Sequence, residues 1–443
     1  MNKEIFKSYD IRGIFPEQLN NDTALKIGQA FIDLTKAKKV AIAFDARLSG
    51  NDLFKHLVSG ITSQGADVFD IGQMPTECLY FAVANYDFDA GIMITASHNP
   101  KEYNGFKMLV KNGTEINIIR GKELLTVALA GNFKEAEIKG KILQKNIVKD
   151  YLDYVFKFVN FNKIKPLKIV VDCSNGVAGN IFKEMGDRLK NEIFLLNYEP
   201  DGNFPNHSPN PLMEGSINNA RDEIKKEKAD LAFIFDGDAD RIFMLDENGK
   251  MIRADLTLLL LAKHFLNKYP ASNIAYNAIC SKAVPEFIKQ WGGQAIRTQV
   301  GFVNVRDGLL KNNGVMGGEL SGHYCFRDYF YLDSGLMAFL SLLEVISAEN
   351  KLVSELIKEL SIYANGGEIN FKIENKEEIL NKIKEKYSDG KQDFLDGITV
   401  EYADWWFNAR ASNTEPLLRL TIEANTPEIL EAKKLELSKL ITE

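Results

Sequence analysis

The strongest constraint on the fold is a pattern that occurs three times along the chain. In each copy, short apolar runs are separated by helical stretches, and the last run leads into a polar, glycine-containing or serine-containing loop. The segments are 40–45, 65–72 and 91–100 in the first copy, 169–172, 192–196 and 232–241 in the second, and 273–276, 292–296 and 315–323 in the third. Apolar runs of this length that alternate with helices are typical of buried strands. The pattern therefore predicts α/β units with largely parallel or mixed sheets.

The loops that close the three copies are the places where a ligand site is expected. In open α/β sheets, ligands bind at the carboxyl ends of the strands. The closing loops lie at 95–100, 236–241 and 317–323, and each has an unusual polar composition. We expect these equivalent loops to face one cleft.

The C-terminal part of the chain has a different pattern. The segments 398–402 and 405–407 read as strands, and in 418–423 apolar and polar residues alternate, which predicts a strand with one wet face. A helix is predicted over 427–440, and the glycine pair at 366–367 is predicted to lie in a connection. This part reads as a small α+β domain.

Length and charge narrow the class of protein. The chain has 443 residues, which is too many for one core and predicts about two to four domains. Its net charge of −7 and the absence of a basic cluster argue against a nucleic-acid partner. No apolar run is long enough to span a bilayer, and no signal peptide is evident, so no membrane partner and a cytoplasmic location are predicted. The four cysteines are far apart, as expected for reduced thiols.

Asp236, Asp238 and Asp240 place three carboxylates within five residues after an apolar run. Carboxylates this close repel one another unless a cation or protons neutralise them, and alternate positions of an extended chain share one face. A divalent cation site is the preferred interpretation. A solvated acidic turn, half of an EF-hand and the aspartyl nucleophile of a haloacid-dehalogenase-type phosphatase are the alternatives.

Three further groups of residues suggest phosphate and sugar chemistry. Ser97 follows an apolar run and has His98 beside it and Lys107 on the next run, so its hydroxyl is a candidate nucleophile, although the loop also reads as a simple turn. Glu319 and Ser321 lie in a glycine-rich segment and suit bidentate hydrogen bonding to sugar hydroxyls. A phosphate cradle is predicted from Arg410, Ser412, Asn413 and Thr414.

Taken together, these motifs resemble those of the α-D-phosphohexomutase family, in particular its bacterial phosphomannomutase/phosphoglucomutase members. The matching segments are Tyr9-Asp10-Ile11-Arg12-Gly13, Thr95-Ala96-Ser97-His98-Asn99-Pro100, Asp236-Gly237-Asp238-Ala239-Asp240-Arg241, Gly318-Glu319-Leu320-Ser321-Gly322 and Arg410-Ala411-Ser412-Asn413-Thr414-Glu415-Pro416. They occur in the order of the family and span nearly the whole chain.

The resemblance implies a four-domain enzyme. Three related α/β domains with mixed sheets, at 1–146, 147–250 and 251–361, and a C-terminal α+β domain of the TATA-binding-protein-like type, at 362–443, would surround a central cleft. The implied activity is a phosphohexomutase, an intramolecular phosphotransferase that interconverts hexose 6-phosphate and hexose 1-phosphate through a phosphoserine and a 1,6-bisphosphate. We predict a preference for mannose, with glucose also used.

The resemblance also implies roles for individual residues. Ser97 would carry the phosphoryl group and, with the three aspartates, hold Mg²⁺. Residues near the transferring group would be Arg12, His98, Lys107 and Arg241. Residues that bind the substrate would be Tyr9, Glu319, Ser321, His323, Arg410, Ser412, Asn413 and Thr414. Phe302 stands where several relatives carry a histidine. If that histidine assists binding or proton transfer, another residue must replace it here, and the candidates are Arg297, Lys282 and His323.

The implied partners are small molecules: hexose phosphates as substrates and a hexose 1,6-bisphosphate as activator. The oligomeric state is predicted to be a monomer or a dimer. Other functions stay open as alternatives at this point. They are a phosphoglucomutase or phosphoglucosamine mutase of the same family, a Mg²⁺-dependent sugar-phosphate phosphatase and a non-catalytic sugar-phosphate sensor.

Overall fold

A computed structural model describes residues 1–412 and 417–442. The chain divides into two compact units. The first unit comprises Met1–Ile252 and Asp328–Val353, and the second comprises Arg253–Arg327 and Ser354–Glu443. Among the described residues, no helix combines the length and the apolar character needed to cross a membrane.

The first sheet lies in the first unit. Its strands are β1 (Ile11–Ile14), β2 (Lys39–Phe44), β3 (Asp67–Gln73), β4 (Ala90–Ile94), β5 (Tyr103–Asn112), β6 (Glu115–Ile119) and β7 (Ile142–Gln144). The helices among them are α1 (Asn21–Thr35), α2 (Gly50–Ser63), α3 (Thr76–Asn85) and α4 (Gly121–Ala130). The strand order is β1-β5-β4-β2-β3-β7, with β6 beside β5. Strands β4, β2, β3 and β7 run parallel, whereas β1, β5 and β6 pair antiparallel, so the sheet is mixed.

The second sheet also lies in the first unit. Its elements are α5 (Val148–Val155), β8 (Lys168–Asp172), α6 (Ala178–Met185), β9 (Glu192–Leu196), α7 (Asn218–Glu227), β10 (Leu231–Phe235) and β11 (Ile242–Leu245). The order is β11-β10-β8-β9, and only the β10–β11 pair is antiparallel.

The third group of elements lies in the second unit and has the same design. It contains α8 (Ala254–Lys268), β12 (Asn273–Asn277), α9 (Ala283–Gln290), β13 (Gln294–Thr298), α10 (Phe302–Lys311), β14 (Met316–Gly318) and β15 (Tyr324–Phe326). In all three sheets, the third strand of the repeat is parallel to the first and antiparallel to the strand that follows the polar loop. The threefold repetition predicted from the sequence is confirmed.

The chain returns to the first unit with β16 (Leu332–Asp333) and α11 (Gly335–Ala348), and α12 (Val353–Leu360) follows. The C-terminal sheet then contains β17 (Ala364–Lys372), β18 (Lys391–Asp393), β19 (Ile398–Glu401), β20 (Trp405–Ala411) and β21 (Leu417–Ala424), with helices α13 (Lys376–Lys386) and α14 (Pro427–Thr442). The antiparallel order is β17-β21-β20-β19-β18. An α+β domain was predicted here, and it is confirmed.

Two details of the C-terminal domain differ from the prediction. The glycine pair at 366–367 lies inside β17, where the register shifts and Gly367 has a φ of 71°, so it forms a bulge and not a connection. Glu423 was assigned to a wet face of β21, but it is fully buried. Its Oε2 accepts hydrogen bonds from Trp406 Nε1 at 2.8 Å and from the backbone N–H of Lys282 at 2.9 Å, and these partners replace water.

An imidazole with a buried side chain lies between two hydrogen-bond acceptors in a loop of the second sheet. His207 Nδ1 lies 2.8 Å from the carbonyl oxygen of Ser208, and Nε2 lies 3.1 Å from Oδ2 of Asp172. Because neither partner can donate, both nitrogens must carry hydrogen. Burial lowers the pKa of His207, but the hydrogen bond and charge of Asp172 outweigh it, so the pKa is raised above 6.5.

We expect His207→Gln to destabilise the protein by about 1 to 3 kcal/mol at pH 6 and by less at pH 9. The raised pKa contributes stability that is fully present below pH 6.5 and is lost as the pH rises through the folded-state value. Urea unfolding at both pH values measures the difference in the free energy of unfolding between the parent and the variant. Other groups titrate in both proteins, so their contributions cancel in this difference. If His207→Gln lost the same free energy of unfolding at pH 6 and pH 9, His207 would not be charged in the native state.

Candidate active site

The loop that follows β4 carries Ser97 and is built around one arginine. All five residues of β4 are buried, because the strand is central and lies between β2 and β5. Ser97 is fully buried and has a φ of 51°, a left-handed conformation that is unfavourable for a residue with a side chain. Arg47 compensates for it by donating to four carbonyl oxygens, those of Ser97, Asn99, Pro100 and Tyr103, at 2.6–2.8 Å.

A buried aspartate orients this arginine and the start of the loop. Asp45 Oδ2 accepts from Arg47 Nε at 3.1 Å and from Thr95 Oγ1 at 2.6 Å, and Thr95 Oγ1 in turn accepts from the backbone N–H of Ser97 at 2.8 Å. Burial raises the pKa of Asp45, and the charge of Arg47 opposes that shift. Sequence reasoning missed both Asp45 and Arg47. Their position directly after β2, the strand beside β4, was the available signal.

The hydroxyl of Ser97 points at the acidic loop of the second sheet. Ser97 Oγ donates to Asp236 Oδ2 at 2.8 Å, and His98 Nδ1 lies 3.3 Å from the same hydroxyl. Arg12 approaches from β1. Its Nη1 donates to the Ala96 carbonyl oxygen at 3.3 Å and to Asn99 Oδ1 at 2.6 Å. The structure thus brings together three of the segments that the sequence singled out, those at 9–13, 95–100 and 236–241.

The acidic loop that follows β10 concentrates buried negative charge. Asp236, Asp238 and Asp240 are all fully buried, and each offers an oxygen within 4.8 Å of the others. Gly237 allows this loop to approach Ser97, because a Cβ at that position would lie 2.7 Å from the Ser97 carbonyl oxygen. Burial, together with the charges of Asp240 and Asp238, raises the pKa of Asp236 to about 8.

Two cations face these carboxylates. Lys107 Nζ donates to Asp238 Oδ2 at 2.6 Å and also to Asp240 Oδ2. Burial lowers the pKa of Lys107, but the two carboxylates outweigh it, so the pKa is raised and the side chain is an ammonium ion. Arg241 donates its backbone N–H to Asp236 Oδ1 at 3.2 Å, and its Nε lies 3.6 Å from Asp236 Oδ2.

The acidic loop fits a hard divalent cation. Asp238 Oδ1 is buried and accepts no hydrogen bond from any residue that the structure describes. An unsatisfied carboxylate oxygen is costly in a protein interior. Three convergent carboxylates, one with a bare oxygen, are the donor set that Mg²⁺ prefers.

The second unit contains a compact group around Glu319. Glu319 Oε1 accepts from Asn277 Nδ2 at 3.1 Å and from the backbone N–H of Gly301 at 2.7 Å, and Ser321 Oγ donates to its Oε2 at 3.1 Å. His323 Nδ1 lies 2.9 Å from Ser321 Oγ and 3.5 Å from Glu319 Oε2. Burial raises the pKa of Glu319, but the hydrogen bond and charge of His323 outweigh it and lower the pKa, so Glu319 is a carboxylate.

Phe302 stacks on this group. Its ring lies 5.3 Å from the ring of His323 at an interplanar angle of 24°. Of the three residues considered as substitutes for a histidine at position 302, Arg297 binds Asp393 at 3.0 Å and Thr399 at 2.9 Å. Only His323 has a described contact with both Ser321 and Phe302.

The remaining predicted residues are placed as follows. Arg410 lies at the end of β20, is largely buried and donates to Glu368 Oε2 at 3.0 Å. Ser412 donates its backbone N–H to the Leu417 carbonyl oxygen at 2.8 Å. Asn413 and Thr414 lie outside the described residues. Tyr9 is half-buried, and its ring lies 6.0 Å from the guanidinium of Arg120.

Comparison with known proteins identifies the family. Four phosphoglucomutase/phosphomannomutase family models match in succession: α/β/α domain I at 3–135, domain II at 149–249, domain III at 253–363 and the C-terminal domain at 368–439. The phosphomannomutase of Methanocaldococcus jannaschii is 37% identical over 99% of this chain and 97% of that protein. That of Escherichia coli K12 is 35% identical over 99% of both.

A solved structure agrees with the sequence relatives. The crystal structure of a phosphoglucomutase/phosphomannomutase family protein from Burkholderia thailandensis matches with a TM-score of 0.90 and 30% identity, over 100% of this chain and 97% of that one. Both full-length relatives and this structure belong to one family, and all four of its domains are matched in order. The chain therefore belongs to the α-D-phosphohexomutases and is an enzyme that transfers a phosphoryl group within a hexose phosphate.

Proposed function

We propose that this enzyme interconverts hexose 6-phosphate and hexose 1-phosphate with Ser97 as the phosphoryl carrier, and that mannose is preferred while glucose is also used. The observation that carries the proposal is the 2.8 Å hydrogen bond from Ser97 Oγ to Asp236 inside a buried cluster of carboxylates and cations. The relatives of 37% and 35% identity are named phosphomannomutases, which supports the preference for mannose.

In the proposed transfer, Ser97 Oγ gives up the phosphoryl group and takes up a proton. The bond between phosphorus and Ser97 Oγ breaks as a hydroxyl oxygen of the hexose monophosphate bonds to phosphorus. The proton of that hydroxyl is regained by Ser97 Oγ, which then donates to Asp236 as in the structure. The resulting hexose 1,6-bisphosphate returns its other phosphoryl group to Ser97 from the opposite orientation, so it also serves as the activator.

The chain's own cations would stabilise the transferring group. Arg12 contacts the carbonyl oxygen of Ala96, and His98 Nδ1 lies 3.3 Å from the hydroxyl of Ser97. Both side chains are therefore close to the position where the equatorial oxygens of the phosphoryl group would develop charge. As an ammonium ion, Lys107 would contribute charge and a donor, and it is the candidate general acid or base that the family resemblance implies. Arg241 completes the positive side of the site.

Mg²⁺ would be bound by Asp236, Asp238 and Asp240 together with the oxygen of Ser97. When bound, it supplies the positive charge that allows a phosphoserine of about −1.5 to −2 charge to lie among carboxylates. Ser97 and the acidic loop are buried, and exclusion of water there would protect the phosphoserine from hydrolysis.

Residues of the second unit would bind the sugar and the phosphate that is not transferred. Glu319 is held as a carboxylate and, with Ser321 and His323, would bind hydroxyls of the sugar at carbons 3 and 4. Mannose and glucose differ only at carbon 2, so both would fit. Arg410 and Ser412, with Asn413 and Thr414, would bind the phosphate that is not transferred, and Tyr9 would contact the substrate. The cytoplasmic location and a monomeric or dimeric state stay predictions.

Two measurements test this proposal. Intact-mass analysis of the purified protein, followed by peptide mapping, should find a phosphate on Ser97. Turnover of mannose 1-phosphate, glucose 1-phosphate and glucosamine 1-phosphate with Mg²⁺ and a bisphosphate activator should be fastest for mannose, then glucose. Activity on the amino sugar alone would overturn the substrate assignment, and release of inorganic phosphate without isomerisation would indicate a phosphatase.

A further inference from the structure

Thr76 is a buried residue that binds the middle carboxylate of the acidic loop. It is the first residue of α3, and its side chain is fully buried. Thr76 Oγ1 donates to Asp238 Oδ2 at 2.5 Å, and the backbone N–H of Thr76 donates to the Asp238 carbonyl oxygen at 3.0 Å. The first residue of α3 thus contacts both the side chain and the main chain of a residue 162 positions away.

These contacts make the two carboxylate oxygens of Asp238 different. Oδ2 accepts from Thr76 and, at 2.6 Å, from Lys107. Oδ1 is buried and accepts no hydrogen bond from the described residues. Two donors on one oxygen restrict rotation of the carboxylate, and the other oxygen remains available for a cation.

The two donors on Oδ2 respond differently to a divalent cation. The ammonium of Lys107 is repelled by a cation a few ångströms away, since two positive charges then share one carboxylate. The hydroxyl of Thr76 has no charge, so its hydrogen bond is compatible with both the metal-free and the metal-bound carboxylate. Thr76 is therefore the partner that can hold Asp238 in place when a metal is present.

We propose that Thr76 is a positioning residue for the metal site: its hydroxyl and backbone N–H orient Asp238 so that Oδ1 faces the divalent cation. This inference rests on the proposed function, because it requires the acidic loop to bind a metal. Outer partners that orient metal ligands typically change metal affinity or activity by about 10- to 100-fold when they are removed.

The test compares Thr76→Val, which keeps the shape and removes the hydroxyl, with Thr76→Ser, which keeps the hydroxyl. We expect Thr76→Val to weaken Mn²⁺ binding to the substrate-free protein by about 10- to 100-fold, measured by electron paramagnetic resonance of free Mn²⁺. The Mg²⁺ concentration for half-maximal activity should rise by a similar factor, while kcat at saturating Mg²⁺ changes much less. Thr76→Ser should restore the affinity to within a few-fold of the parent.

Thr62→Val is the matched control, because the hydroxyl of Thr62 donates to the Val58 carbonyl oxygen at 2.8 Å within α2 and has no described contact with the acidic loop. It should leave Mn²⁺ affinity unchanged. If Thr76→Val does not fold, Thr76→Ala against Thr76→Ser gives the same comparison, since these two differ only in the hydroxyl.

The outcomes separate this inference from the proposed function. A Thr76→Val protein with a lower melting temperature but the parent's Mn²⁺ affinity would show that Thr76 is only structural, and the inference would be overturned. If the unmodified protein itself bound no Mn²⁺, both the metal site and the role of Thr76 would be overturned.

Discussion

Ser97→Ala is expected to lower the rate of hexose phosphate interconversion by up to about 10⁶-fold, the scale seen when a serine nucleophile is removed. Alanine has no oxygen to carry the phosphoryl group, and no other hydroxyl among the described contacts reaches Asp236. A coupled assay that follows glucose 6-phosphate formation measures the rate, and intact mass should show that the phosphate adduct is absent.

Ser63→Ala is a suitable control for this variant. The hydroxyl of Ser63 is also buried, and it donates to the Gly60 carbonyl oxygen at 2.7 Å at the end of α2. This change should leave activity intact. If Ser97→Ala interconverted mannose 1-phosphate and mannose 6-phosphate at the parent's rate, Ser97 would not be the carrier, and the proposed function would fail with it.

Asp236→Asn is expected to have opposite effects on activity and on the stability of the metal-free protein. Activity should fall by about 10²- to 10³-fold, because an amide replaces a charged ligand of the metal site. Stability should rise, since burial and two neighbouring carboxylates make the charge of Asp236 unfavourable in the folded state. The amide oxygen of asparagine can still accept from Ser97.

The gain in stability has a defined pH dependence. The pKa of Asp236 is raised from 3.8 to about 8 on folding, so between these values the native state binds the proton more tightly than the unfolded state. The parent therefore loses stability as the pH rises through this window. The advantage of Asp236→Asn should be absent below pH 3.8, grow up to about pH 8 and then stay constant.

Urea unfolding in the presence of a chelator at pH 5 and pH 9 measures this difference, and added Mg²⁺ should stabilise the parent more than the variant. Asp33→Asn is the control, because Asp33 is exposed and forms a surface ion pair with Lys36 at 2.6 Å. An Asp236→Asn protein that is less stable than the parent at pH 9 would argue against repulsion in the acidic loop.

Local patterns were sufficient for the architecture and for most of the candidate site. The continuous apolar run of β4 reflects burial on both faces of the strand, which the sequence records directly. Ser97 and the three aspartates could be selected as candidates because each stands next to the strand that positions it. The errors came where burial depends on a distant partner, as for Glu423, which pairs with Trp406 and Lys282.

The residues that support the site could not be read from the sequence for the same reason. The residues next to Arg47 and Thr76 in the chain form no motif that marks a site. Their roles arise from contacts with residues 50 and 162 positions away. The protonation state of Lys107 likewise depends on two carboxylates from another sheet of the first unit.

The sequence by itself determined the strands, the threefold repetition and the identity of the chemical groups, because side-chain periodicity and short motifs are local properties. Only the tertiary structure decided which groups meet, which oxygen of Asp238 stays bare and which carboxylates keep their charge. Those properties depend on distance and dielectric between segments far apart in the chain, and no local pattern encodes them.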